Sequence, residues 1–437
     1  MHTRPAKKVP LSGCIKYLLV SLVAAVVGAL LLLLVSRIPQ TMIYDHALES
    51  AEQLLEEGDY PKHHLPSAPM PYLQDNLSEE IIVETSYNMH TVQDVFLKLR
   101  NTRLQNPEAD NAYAQLLMNV LTGEETAMRS YSRYWMGFRL PVRLLLCVTS
   151  LNGIRMLIGA AFVLLLTAVV ALAARRVSVG AAAGFALAVW LIEPYAVSHS
   201  IQYGICFLLA LLFSLMILFW KHELKDPKTV ALFCAFGAIT QYFDFYTSPS
   251  VTCLLPLLLL AARSEEDRLV RKTLPLFLAW LTGYLLMWVL GLCFVTLFTP
   301  ENAFLPALHS AMYRFGVGSY KVAGDSYRAV DALVAVYRHV CSRIPISHVP
   351  DFALPALVLG LIVLAAAARL RTGRWGKLPV YAVLGLLPLC WFAAAAQPTI
   401  GHTYFQYRTI CPLYFAAFLF IFESIYLLHS VRPEKKQ

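Results

Sequence analysis

Long apolar runs recur along this chain, and no other feature limits its fold so strongly. They occupy residues 17–35, 154–172, 179–197, 203–220, 229–245, 251–262, 274–298, 352–368, 378–396 and 409–429. A helix needs about 20 apolar residues to cross the hydrocarbon core of a bilayer. Most of the runs approach that length; 229–245 and 251–262 are short. Apolar residues make up 58% of the chain and charged ones 15%, with a mean hydropathy of +0.56. Soluble domains carry about 25% charged residues. One water-soluble core cannot absorb this much apolar surface, so lipid is the expected solvent. In lipid the backbone must bond to itself, which leaves helices or closed barrels. Runs of this length select helices. The expected class is therefore all-α: a polytopic integral membrane protein of about ten transmembrane helices.

Charge orients the runs. The first follows Arg4, Lys7, Lys8 and Lys16, the second ends in Arg175-Arg176, the fourth at Lys221, and the last precedes Lys435-Lys436. The short connections near His199, Thr247 and His402 on the other side hold only Arg408. The positive-inside rule then places both termini in the cytoplasm of a multi-pass protein of the cell membrane, expected to be a bacterial plasma membrane. The expected layout is a cytoplasmic tail 1–16, a first transmembrane helix 17–36 and an extracytoplasmic loop 37–141 with amphipathic helices. Transmembrane helices two to seven follow within 142–298, a second extracytoplasmic loop at 299–351, helices eight to ten at 352–429 and a cytoplasmic tail 430–437. The net charge of +8 is explained by span flanks; no basic, aromatic-interleaved soluble segment supports nucleic-acid binding.

Within the first loop, Ala47, Leu48, Ala51, Leu54 and Leu55 recur at helical spacing opposite Glu49, Glu52 and Glu56. Further helical stretches are expected at 92–106 and 111–121, and Pro66, Pro69 and Pro71 break the chain between 62 and 76. The segment 140–151 reads as a separate interfacial helix or as the start of span two. The nine cysteines lie mostly in apolar runs and suggest neither a disulfide framework nor a thiolate site. The box Leu11-Ser12-Gly13-Cys14 precedes its apolar run instead of following it, so span one reads as a retained anchor.

An ionised group at bilayer centre costs about 2.5–3.5 kcal/mol on insertion scales, so polar groups at span ends mark places where a cavity or partner offsets that cost. Five segments supply them. In Tyr44-Asp45-His46, Asp45 could take a proton from a hydroxyl acceptor or cap the helix that follows. In Ser132-Arg133-Tyr134-Trp135, Arg133 offers a fork that matches phosphate oxygens, while Tyr134 and Trp135 suit an interface belt or a cavity wall. Glu193, before Pro194 and His199, is a second acid or the partner of an arginine. In the segment 241–249, Asp244 stands among aromatics, with Tyr242 and Tyr246 as candidate cavity lining and no Lys or Arg close in sequence. The segment 402–408 pairs His402 with Arg408 as an anion clamp around Tyr407. His309, Tyr313 and Arg314 are weaker candidates. No metal motif and no phosphate-binding Gly-rich loop appears.

One span, a long loop with surface helices, an acid just after that span and many further spans: this arrangement resembles the C-type (GT-C) membrane glycosyltransferases across the whole chain, as topology. The resemblance implies catalysis on the extracytoplasmic face with lipid-phosphate-linked sugars. It implies a base or acceptor-binding role for Asp45, and a lipid-phosphate or donor site at Arg133, His402 and Arg408. The family's doubled or spaced acid motif is missing: Asp45 is followed by His46, and the nearest doublet is Glu56-Glu57. No cofactor is required on this reading, and a divalent cation is left open. The segments around Arg133 and His402 also resemble those of uncharacterised polytopic bacterial proteins, which implies no activity.

The expected function is therefore an enzyme, a hexosyl or pentosyl transferase moving sugar from a polyprenyl-phosphate donor to an envelope glycan or lipid acceptor. The alternatives are a polysaccharide polymerase or ligase on lipid-linked sugars, and a non-enzymatic transporter or flippase. Expected partners are the bilayer, the lipid-linked sugar and the acceptor; the oligomeric state is open. The catalytic reading expects Asp45, Asp244, Arg133 and Arg408 to share one hollow.

Overall fold

The computed structural model describes residues 11–64, 71–89, 95, 98–100, 112–123, 128–130, 134–300, 302–314, 321–322, 325–326, 328–343 and 353–430. Helix fills every predicted span: α1 (Leu11–Val35), α6 (Leu151–Arg176), α7 (Val179–Trp190), α9 (Ile201–Phe219), α10 (Pro227–Phe243), α11 (Pro249–Arg263), α12 (Leu269–Phe298), α15 (Ala353–Thr372), α16 (Leu378–Ala394) and α19 (Cys411–Ser430). Among the described residues five stretches are long and apolar enough to cross a membrane: Ile15–Val35, Leu151–Arg176, Ile201–Phe219, Leu269–Phe298 and Thr403–His429. Large apolar side chains on these helices face outward, Leu164 at 71% exposure and Leu297 at 77%. Scattered exposure of that degree on long helices suits lipid contact. This is an all-α membrane protein.

Shorter helices fill the connections: α2 (Tyr44–Glu57), α3 (Asn76–Tyr87), α4 (Ala112–Thr122), α5 (Arg139–Leu145), α8 (Pro194–Ser198), α13 (Phe304–Arg314), α14 (Ala329–Arg343), α17 (Ala396–Gly401) and α18 (Thr403–Gln406). Among the described residues strands are confined to three two-stranded antiparallel ribbons: β1 (Lys62–His63) with β2 (Tyr72–Leu73), β3 (Lys98–Arg100) with β4 (Met128–Ser130), and β5 (Lys321–Val322) with β6 (Asp325–Ser326). Two expectations are corrected here. Residues 98–100, read as helix, form β3. Span three, read as continuous to 197, ends at Trp190: Glu193 takes a left-handed conformation (φ 57°), and Pro194 starts α8 as a new helix. The segment 140–151 resolves into the separate helix α5.

The bundle is tightest where α10 crosses α12. A Cβ on Gly237 would lie 1.9 Å from the Trp280 carbonyl oxygen, and one on Gly283 would lie 2.0 Å from that of Cys234. Small residues let helix backbones meet in lipid, where no hydrophobic drive joins helices. At one end of the bundle α2, α3, α4 and α5 bury Ala47, Leu54, Ile82, Leu117 and Val142 against Ile154 of α6. This is the cap end. At the other end arginine and lysine close helix C-termini: Arg263 donates to the carbonyls of Ile217 (2.9 Å) and Trp220 (2.7 Å), and Lys377 to that of Ala262 (2.6 Å). This is the basic end.

Candidate functional site at the cap end

Two arginines fasten the cap. Arg155, in the first turns of α6, donates Nε to Glu79 Oε2 (2.8 Å), Nη1 to both Glu57 oxygens (2.9 Å each) and Nη2 to Asn76 Oδ1 (2.8 Å). Glu79 Oε1 also accepts the Ile201 amide (2.9 Å), so this carboxylate ties α3 to α6 and α9. Arg143 of α5, fully buried, donates to the carbonyls of Val35 (3.0 Å), Ile38 (2.6 Å) and Tyr87 (2.9 Å). These interactions fix α3 against the start of α9.

A cavity of about 1050 Å³ opens beside α3. Its wall includes Tyr60, Asp75 and Ser78 from the cap, Tyr134 and Tyr246 from two interhelical turns, Gln202 at the head of α9, His309 and Arg314 from α13, and Gln397, His402 and Gln406 from the α16–α19 connection. Asp75 is the N-cap of α3: Oδ1 accepts the Ser78 amide (3.1 Å) and Oδ2 its hydroxyl (2.7 Å). Burial pushes its carboxyl above the ordinary value, against the pull of the Ser78 bonds and of His402. Burial pushes His402 below its ordinary value; Asp75 works against that shift and Arg314 adds to it. The acid and the base thus converge and interact. Arg314 donates to the Tyr134 hydroxyl and lies over the Tyr246 ring, 5.1 Å from its centroid.

Around these groups three buried amide atoms find no hydrogen-bond partner among the described residues: Gln202 Oε1, Gln397 Nε2 and Gln406 Oε1. An unpaired buried polar atom costs about 1–3 kcal/mol, and native structures hold few. Gln202, Gln397 and Gln406 all line the cavity, so its wall carries amide groups beside the charged ones.

Six residues named from sequence line this cavity: Tyr134, Tyr246 and His402, with the weaker candidates His309, Tyr313 and Arg314. The others lie elsewhere. Asp45 is exposed in the first turn of α2 and does not line it; Ile43 holds the cap position, so Asp45 caps nothing. Asp244 is buried behind the wall, accepting the Thr247 amide (3.0 Å) and the Tyr284 hydroxyl (3.0 Å), where it holds the turn that presents Tyr246. Arg408 is no anion clamp: Nε donates to Ile192 O (3.1 Å), Nη1 to Tyr404 O (3.0 Å) and Nη2 to Glu193 Oε2 (3.1 Å). Glu193 is the arginine partner that the sequence allowed, binding Arg343 (2.9 Å) and the Tyr407 hydroxyl (2.7 Å) as well. Beside this cluster burial and the charges of Arg343 and Arg408 push His339 down to about 4. Tyr242 donates to Gly28 O (2.8 Å) and Trp135 to Met287 O (2.7 Å); both pack helices together. Arg133 lies outside the described residues. Asp45, Asp244 and Arg408, expected to share one hollow, thus do not line this cavity. Among the described residues no cluster of His, Cys, Asp and Glu could hold a metal ion.

Asp75, Arg155 and the three glutamines escaped the sequence reading. The signal for Asp75 was present: Asp75 followed at the third position by Ser78 and then by Glu79-Glu80 is an N-cap pattern. No family model matches the chain, and no curated protein or solved structure matches it.

Proposed function

We propose that the cap-end cavity transfers a sugar from a polyprenyl-phosphate donor to a hydroxyl acceptor on the extracytoplasmic face, in the manner of the GT-C enzymes that the chain's layout resembles, with Asp75 taking the role first read for Asp45. The observation that carries the reading is the convergence of Asp75, His402 and Arg314 on one space that Gln202, Gln397 and Gln406 also line. Amide groups and aromatic rings suit sugar hydroxyls and ring faces. A wholly apolar groove of about 310 Å³ is lined by Leu145, Ile158, Leu208 and Phe243, and by Ile201, next in sequence to the cavity residue Gln202. It would take the prenyl chain.

The chemistry then needs few parts. The bond from the anomeric carbon to the phosphate oxygen breaks, and that oxygen keeps the electron pair. The acceptor oxygen bonds to the anomeric carbon and gives its proton to the Asp75–His402 pair. The leaving lipid phosphate keeps its charge beside Arg314, which can offer a planar donor fork.

The test uses the full chain in liposomes with polyprenyl-phosphate hexose and pentose donors carrying labelled sugar. Asp75→Asn keeps an equally good helix cap. We expect it to melt within a degree or two of the parent and to lose about 10²–10⁴ in transfer rate, the usual worth of a general base. Transfer at the parental rate in Asp75→Asn would remove the base assignment.

A further inference from the structure

At the basic end lies a second hollow, of about 1290 Å³, remote from the chemistry proposed above. It is enclosed by the end of α6, the turn between α11 and α12, the turn before α16 and the last turns of α19. Its cations differ in how they are used. Arg263 and Lys377 are occupied with helix carbonyls. Arg268, Arg271 and Arg374 have exposed side chains that bond to none of the described residues. The acids that share the rim are largely spoken for or turned away. Glu266 holds Lys272 (2.6 Å), Glu423 accepts the Lys377 amide (3.2 Å), and Glu265 is 92% exposed and meets Lys377 at 3.5 Å; Asp267 faces water.

The backbone supports the same reading. Arg268 stands in a left-handed conformation, φ 54°, at the head of α12. That conformation is uncommon for a residue with a side chain. Below the arginines the wall turns apolar, with Leu419, Phe422 and the 64%-exposed Tyr426 of α19 running toward the middle of the bundle. Charge above an apolar slot is the arrangement of a headgroup site between helices.

We infer that this hollow binds the phosphate of an anionic phospholipid from the adjoining leaflet: Arg268, Arg271 and Arg374 surround the phosphate, and the acyl chain lies along Leu419, Phe422 and Tyr426. The site is separate from the cap-end cavity, and its occupancy does not depend on glycosyl transfer. The experiment is thermal unfolding of the purified full chain in neutral detergent, titrated with dioctanoyl phosphatidylglycerol, dioctanoyl phosphatidylcholine or inorganic pyrophosphate. Phosphatidylglycerol should stabilise and phosphatidylcholine should not, and raising the salt should weaken the effect. The R268Q/R271Q/R374Q triple should bind at least tenfold more weakly, while K221Q/K225Q/K228Q, which removes three charges from the neighbouring stretch 221–228, should bind as the parent does. The salt titration reads the parent chain alone and so stands even if the triple fails to fold. Equal stabilisation by both lipids, no salt dependence, or undiminished binding by a folded triple would overturn the inference. Pyrophosphate matching the lipid at equal concentration would overturn the lipid as source and assign the arginines to a soluble phosphate.

Discussion

Arg155 shows what a single buried charge does in this protein. It joins the first turns of a long apolar helix to two cap carboxylates, and its side chain is 4% exposed. Removing one partner of a buried pair leaves the other unpaired, at about 3–5 kcal/mol. Arg155→Ala should therefore lower stability by that order in detergent unfolding, and the Arg155→Met, Glu79→Gln double variant should regain much of it. Glu80, one residue further on, is 1% exposed and lies beside the Asp59 carboxyl. Burial, then the charges of Asp59 and Asp75, a hydrogen bond with Asp59 and the charge of Glu79 push it up to about 9. Its folded pKa lies above the unfolded one, so its contribution is complete below about pH 4.5 and is lost progressively as pH rises to about 9. Glu80→Gln should flatten this fall, measured as Tm from pH 5 to pH 9, and should be the more stable form at pH 8. None of this was legible from residue type: an acid in a polar loop reads as solvated, and only the docking of α3 makes Glu79 and Glu80 interior. Glu193 was legible as an arginine partner because Pro194 isolates it at a helix break.

Among elements, the spans were readable because run length is a one-dimensional quantity that the bilayer fixes. Helix α3 was not. Ten of its twelve residues are buried, so it has no polar face and no period to detect. The break after Trp190 was signalled by Pro194, whereas the β3–β4 ribbon pairs residues some thirty apart and leaves no local trace. The α10–α12 crossing supplies the prediction at this scale. Gly237 and Gly283 meet backbone and not a flexible side-chain end, so an added methyl group forces the helices apart. Gly237→Ala should destabilise by about 1–3 kcal/mol, and Gly237→Leu should abolish recovery of folded protein in detergent. A Gly360→Ala change on α15, where a Cβ meets nothing, should leave unfolding unaltered.

For the whole molecule, two polar hollows stand at opposite ends of an apolar bundle. Between them α11 is packed tight, every residue from Leu254 to Leu260 being buried. A cap pinned by Arg143 and Arg155 holds Asp75 against the α16–α19 connection, so side chains 327 positions apart in sequence, Asp75 and His402, face one cavity. No local pattern reports that distance, which is why the sequence placed the acid at Asp45, beside the right span but on the outside of α2. The most direct measurement is an electron cryomicroscopy structure of the full chain in nanodiscs containing polyprenyl phosphate. The account predicts phosphate density within hydrogen-bond reach of Arg314, with the prenyl chain entering the groove at Ile201. Phosphate density at another surface, with the cap-end cavity empty, would contradict it.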